Sequence, residues 1–221
     1  MPVVAIVDDH QLLAETLQAA LITRDVNAVV VAPRSAADLL AELLSLKPDL
    51  VLLDLDLGPA GNGVAFVAPL VATGSRVLVV TGSSDRMRIA LAMEGGALGY
   101  QLKSAGFDGL VARTVAALTT TGSMDPAERS ALLSELSTYR AEREHTFAPF
   151  RRLTTREQAT LRALAQGLAV REIAQQWVVS EATVRSHVRG VLDKLEAPSQ
   201  LAAVAAAHRS GWLDTLPGGA T

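Results

Sequence analysis

Cysteine is absent from this sequence, which excludes a disulfide framework and a thiolate metal site. No apolar run approaches the ~20 residues that span a bilayer, and no basic stretch precedes a short apolar one near the N-terminus. No membrane association is expected, and a soluble cytoplasmic protein is. The four histidines, His10, His145, His187 and His208, lack the spacing of a zinc site. Net charge is only −3 over 221 residues, but it is uneven. Residues 1–118 carry −4, residues 119–150 carry −2 and residues 151–221 carry +3. A basic C-terminal piece on an acidic protein hints at an anionic partner.

Four short apolar runs in the first half each end in a reactive polar residue. Val3–Val7 runs into Asp8 and Asp9, Leu50–Leu53 into Asp54, Val77–Val80 into Thr81, and Gly99–Leu102 into Lys103. Helix-like segments follow, near residues 12–21, 64–72, 85–95 and 107–118. A fifth starts at Ser35, whose hydroxyl precedes an acid, Asp38, by three residues in the manner of a capping box. It should end near Lys47-Pro48, because proline cannot continue a helix. Val29–Val31 supplies a further strand. Repeated β-α units with short connections give a doubly wound, five-stranded parallel α/β sheet. In strand order 2-1-3-4-5 the order reverses between strands 1 and 3, where ligands sit, so Asp8, Asp9 and Asp54 should face each other there. Clustered carboxylates suit Mg²⁺. A carboxylate, hydroxyl and ammonium together suit acceptance of a phosphoryl group, with the metal offsetting the charge that builds up. The run Gly58-Pro59-Ala60-Gly61-Asn62-Gly63 reads as a loop.

Residues 119–150 read as a linker. Thr119–Ser123 is loop-like, and Asp125-Pro126 sets up a charged helix with Leu132, Leu133, Leu136 and Tyr139 on one face. His145–Phe150 reads as a hinge. From Leu153 the pattern is helical throughout, in a small all-α domain over 151–215 with a flexible tail at 216–221. Arg171–Trp177 and Glu181–Leu195, joined by Val178-Val179, have the form of a helix-turn-helix. Arg185, Ser186 and Arg189 lie on the outward face of the second helix, with Thr183 and His187 as candidate backbone contacts. Val184, Val188, Val191, Leu192 and Leu195 read as core, and Trp177 as packing. The Ala-rich helix from about Ser199 to Arg209 suits either subunit pairing or packing on its own domain.

These residues carry a resemblance. Residues 1–118 resemble a two-component receiver domain through Asp8-Asp9, Leu52-Leu53-Asp54, Thr81 and Gly99–Lys103. Residues 151–213 resemble a LuxR-type DNA-binding domain through Leu153-Thr154-x-Arg156-Glu157, Gly167, Glu172-Ile173-Ala174, Ser180-x-x-Thr183-Val184, His187 and Lys194-Leu195. In that order they look like a NarL/FixJ-type response regulator. The resemblance implies that Asp54 accepts a phosphoryl group from a sensor histidine kinase. It implies that Asp8, Asp9, Asp54 and the backbone carbonyl of Asp56 hold Mg²⁺. Lys103 would contact the phosphoryl group, and Thr81 with Tyr100 would form a switch pair. A homodimer on a promoter or operator in double-stranded DNA is implied, and RNA polymerase is a further candidate partner. The chain departs from the pattern at Gly58, where proline is usual, in a loop to Gly63 that is one residue longer, in the extra carboxylate of Asp56, and at Gly82.

A switch rather than an enzyme is expected. Two other readings compete. Asp54-Leu55-Asp56 resembles the Asp-x-Asp of haloacid-dehalogenase-type phosphatases, although those carry it on the first strand. A DNA-binding regulator whose receiver works without phosphorylation is the third reading.

Overall fold

The computed structural model describes residues 2–119 and 124–215, and the chain divides into two compact units at Thr138/Tyr139. The tail assigned to 216–221 and most of the loop assigned to 119–123 lie outside the described residues.

The first unit is built on β1 (Val3–Val7), β2 (Asn27–Val30), β3 (Leu50–Leu53), β4 (Arg76–Thr81) and β5 (Gly99–Leu102). All neighbouring strands pair in parallel, in the order β2-β1-β3-β4-β5. The inner strands β1, β3 and β4 are almost continuously apolar because both of their faces are covered. One face packs Val4, Ile6, Leu52, Leu78 and Val80 against α1 (Gln11–Ile22) and α5 (Phe107–Thr119). The other packs Val7, Val51, Leu53, Val77 and Val79 against α2 (Ala36–Leu46), α3 (Val64–Ala72) and α4 (Arg86–Glu94). Each fully buried leucine or valine contributes about 1.5–3 kcal/mol relative to leaving it in water. Ser35 caps α2 by accepting from the Asp38 N–H at 3.2 Å, and α2 stops at Lys47 in the left-handed region, ahead of Pro48.

A long helix, α6 (Pro126–Arg151), follows, capped by Asp125, which accepts from the Ala127 N–H at 2.9 Å. Its residues to Thr138 belong to the first unit and those from Tyr139 to the second. The hinge expected at 145–150 is helical. Pro149 lies so close to the C-terminus of α6 that the hydrogen bond its ring removes is one of the last in the helix.

The second unit continues with α7 (Thr155–Ala165), α8 (Val170–Trp177), α9 (Glu181–Leu195) and α10 (Gln200–Ser210). A reciprocal capping box opens α7: Thr154 accepts from the Glu157 N–H at 3.3 Å, and Glu157 accepts from the Thr154 N–H at 2.7 Å. Glu157 also accepts from Lys194 on α9 at 2.6 Å, tying α7 to α9. At Gly190 the two helices come so close that a Cβ would sit 2.3 Å from a Glu157 carboxylate oxygen. Burial alone would raise the Glu157 carboxyl, but the bonds from Lys194 and Thr154 hold it below the ordinary value. A depressed folded-state pKa contributes stability that is present above the unfolded value and lost as pH falls through the folded one. The thermal midpoint of the second unit should therefore drop between about pH 4.5 and lower values. Glu157→Gln should flatten that part of a circular-dichroism melting series and lower the midpoint at neutral pH.

Candidate functional site: a carboxylate cluster at the sheet edge and a helix-turn-helix

The register of β1 with β3 pairs Val7 with Leu53, and the Asp54 N–H donates to the Val7 carbonyl at 2.9 Å, so Asp8 and Asp54 leave the sheet side by side. Both are buried. Lys103, just past β5, reaches back between them, with its Nζ 2.6 Å from Asp54 Oδ2 and 2.7 Å from Asp8 Oδ2. The Asp54 Oδ1 accepts from the Asp56 N–H at 3.2 Å. His10, one of four histidines whose spacing did not suggest a metal site, belongs to the cluster. Its N–H donates to Asp8 at 2.8 Å and its Nδ1 lies 2.7 Å from Asp9. One ligand atom from each of Asp8, Asp9, His10 and Asp54 fits within 4.8 Å of the others.

Three carboxylates against one ammonium leave this pocket negative. Burial pushes the Asp54 carboxyl above the ordinary carboxylate range, and the bonds from Lys103 and the Asp56 N–H only partly offset it. Burial alone would lower the Lys103 ammonium, but hydrogen bonds to Asp54 and Asp8 carry it above the ordinary lysine value. A divalent cation would relieve this imbalance, and the oxygen-rich donor set fits Mg²⁺.

Thr81 is fully buried at the end of β4, and its Oγ1 accepts from the Ser83 N–H at 3.1 Å. Tyr100 pairs in register with Val79, which shares a sheet face with Thr81, so Tyr100 and Thr81 are diagonal neighbours on one face. The Tyr100 hydroxyl donates to Glu128 on α6 at 2.7 Å, and that bond holds the phenol above its ordinary pKa.

The loop after Asp54 is closed by its own backbone hydrogen bonds. An antiparallel bridge joins Asp56 to Asn62, the Leu57 N–H donates to Gly61 and the Gly63 N–H to Leu55, with Leu57 buried underneath. Gly58 takes a positive φ of 50°, which lets the chain turn in a single short 3₁₀ segment. The Asp56 carboxylate is not part of the cluster. Arg88 on α4 holds it at 2.7 Å and also donates to the Leu55 carbonyl and, at 3.3 Å, to Asn62. Asp56 is thus paired with Arg88, outside the group formed by Asp8, Asp9, His10 and Asp54. Arg88 had no sequence signal, because its partners lie 26 to 33 residues away.

In the second unit α8 and α9 meet at Val178, which adopts a left-handed φ of 55° and is almost fully exposed. Ser180 caps α9 by accepting from the Thr183 N–H at 3.1 Å, and the two hydroxyls lie 2.8 Å apart. Val184, Val188 and Val191 are buried, which turns Thr183, Arg185, Ser186 and Arg189 outward and leaves His187 half-buried. Arg185 pairs with Glu181 one turn earlier at 2.7 Å, while both side chains stay largely in solvent. Such an exposed pair contributes little stability. Trp177 packs beside the α8–α9 core with Arg156 over its ring.

Comparison with known proteins agrees with both halves. Residues 4–115 match the response regulator receiver domain, and residues 151–207 match the luxR family of bacterial regulatory proteins. The chain belongs to the response regulators that join a receiver to a LuxR-type helix-turn-helix DNA-binding domain. Its curated relatives place it in the NarL/FixJ type. A nitrate/nitrite response regulator protein homolog of Haemophilus influenzae is 32% identical over 90% of this chain and 93% of its own length. The nitrate/nitrite response regulator NarL of Escherichia coli K12 is 31% identical over 93% and 94%. Among solved structures, Salmonella typhimurium RcsB shares the fold with a TM-score of 0.50 at 21% identity, covering 97% of this chain and 98% of that one. No helix among the described residues is long and apolar enough to cross a membrane.

Proposed function

We propose that the protein is a cytoplasmic transcription regulator switched by phosphorylation of Asp54 by a sensor histidine kinase. The observation that carries this is Lys103 bridging Asp54 and Asp8 on the same sheet edge that holds Asp9 and Thr81, in a chain that also carries a helix-turn-helix. Asp8, Asp9, Asp54 and the Asp56 carbonyl would hold Mg²⁺, whose charge offsets that building on the transferring oxygens. An Asp54 oxygen attacks phosphorus, the P–N bond to the donor imidazole breaks, its electron pair stays on nitrogen, and an acyl phosphate forms. Lys103 already lies between two carboxylates, so it needs only a small shift to pair with a phosphoryl oxygen. Thr81 donates to another oxygen, and Tyr100 turns inward behind it. The signal ends in homodimers of the second unit on paired half-sites, with Arg185 and Arg189 meeting base edges or phosphates and Thr183, Ser186 and His187 adding contacts. RcsB, which shares the fold, has been solved in complex with DNA, in line with a DNA-binding role here, and RNA polymerase would be met on the promoter.

Intact-mass analysis after incubation with Mg²⁺ and acetyl phosphate tests the acceptor. A gain of one phosphoryl group, mapped to Asp54 and lost when a chelator removes the metal, is the expected result. Uptake at another residue, or undiminished uptake in the chelator, would overturn it.

A further inference from the structure

We propose that Arg88 is a positioning residue for the acidic cluster. It neutralises the Asp56 carboxylate and holds it apart from Asp8, Asp9 and Asp54, which sets how tightly the cluster binds Mg²⁺ and how readily it admits an anionic phosphodonor. This inference rests on the reading of that cluster as a Mg²⁺-dependent phosphoacceptor site.

Arg88 stands in the first turn of α4, where Asp85 caps the helix by accepting from the N–H groups of Met87 and Arg88 at 3.0 and 3.3 Å. From that fixed base its guanidinium spans both arms of the loop after β3. On one arm it donates to the Leu55 carbonyl and to the Asp56 carboxylate, the latter at 2.7 Å. On the other it reaches the Asn62 side-chain oxygen at 3.3 Å, which also accepts from the Val64 N–H at 3.1 Å. The planar fork of arginine can hold a carboxylate and two further acceptors at once, which the point charge of lysine does less well. Arg88 is also the better buried partner of the pair, so the cation is anchored and the acid comes to it.

Asp56 is close enough to the cluster for its charge to matter there. Its N–H donates to Asp54 Oδ1 at 3.2 Å, and its side chain lines one open cavity together with Asp9 and Arg88. Three carboxylates already outnumber one ammonium in the cluster, and an uncompensated Asp56 would be a fourth. The added charge would hold a divalent cation more tightly by Coulomb attraction. The same field would repel an incoming phosphodonor anion. With Arg88 in place the pair is neutral, and the loop offers the cluster its backbone without its acid. This effect acts through charge and needs no movement of Asp56.

Mg²⁺ titrations of the full-length, unphosphorylated chain, followed by amide chemical shifts, test this. Arg88→Gln should tighten Mg²⁺ binding by roughly tenfold, because it strips the cation and leaves the acid. Asp56→Asn should weaken it by roughly the same factor, because the cation then stands unopposed beside the site. The double variant, with the pair's net charge restored, should return to within about twofold of wild type. At saturating Mg²⁺, Arg88→Gln should need roughly fivefold more acetyl phosphate for half-maximal uptake at Asp54, and the double variant should not. A residue that only braced the loop would weaken Mg²⁺ binding when lost, whether or not Asp56 were present. That result overturns the proposal, as does one affinity shared by wild type and all three variants. Should Arg88→Gln fail to fold, Asp56→Asn still decides, since tighter or unchanged binding there contradicts the charge balance. Wild type that binds no Mg²⁺ would defeat the metal site and this inference together, whereas variants out of order around a wild type that does bind it defeat the inference alone.

Discussion

Asp54→Asn is expected to abolish phosphoryl uptake and, in metal-free buffer, to make the first unit more stable. The sign follows from burial. Asp54 has its carboxyl pushed above the ordinary range, so the folded protein binds that proton more tightly than the unfolded chain does. Stability is therefore lost as pH rises from the ordinary carboxylate value through the raised one, and at neutral pH the buried charge is a cost. Asn removes that charge and leaves Lys103 its bond to Asp8. A gain on the order of 1 kcal/mol at pH 7, shrinking towards pH 4, is expected in denaturant titrations. Added Mg²⁺ should stabilise wild type by mass action and so narrow or reverse the difference. A less stable Asn variant at neutral pH would mean that the Lys103–Asp54 bond outweighs the desolvation of Asp54.

Gly63→Ala is expected to be the most damaging single methyl in the first unit. Gly63 has an ordinary helical φ of −57°, so any residue could adopt its conformation. The obstacle is space: a Cβ there would lie 2.0 Å from the Asp54 carbonyl oxygen and 2.9 Å from the Leu55 Cα. Both obstacles are backbone, so the α3 start or the acceptor strand must move. We expect a loss of about 3–5 kcal/mol in urea unfolding and strongly impaired phosphorylation, because the shift passes directly to Asp54. Gly82→Ala is the control. Its Cβ would meet only the Lys103 side chain, at 4.0 Å, and stability should stay within about 0.5 kcal/mol of wild type.

Much of this was legible in the sequence because it is local or periodic. Apolar runs ending in Asp8, Asp54, Thr81 and Lys103 defined the sheet edge, since parallel strands buried on both faces must read that way and must end together. Ser35 with Asp38 marked a helix start through capping chemistry that spans only three residues. Val184, Val188 and Val191 fixed which face of α9 turns inward.

What escaped detection is polar and distant in sequence. Arg88 reaches Asp56 across 32 residues and Glu128 reaches Tyr100 across 28, with no periodicity to announce either pairing. His10 joined the cluster through a turn onto Asp8 that its neighbours do not specify. The glycine-rich loop was recognisable as a loop, but its closure depends on the Asp56–Asn62 bridge and a buried Leu57. Turn propensity carries no information about that closure.

The central claim is that one acid at the sheet edge governs DNA binding by the second unit. Fluorescence anisotropy of a labelled promoter fragment, titrated with full-length protein at fixed salt, measures this directly. With Mg²⁺ and acetyl phosphate, wild type should bind at least roughly tenfold more tightly than without, through the effective concentration of paired half-sites. Asp54→Asn should bind equally weakly in both conditions. Equal affinity for phosphorylated and unphosphorylated wild type, or a phosphodonor response that survives in Asp54→Asn, would contradict it.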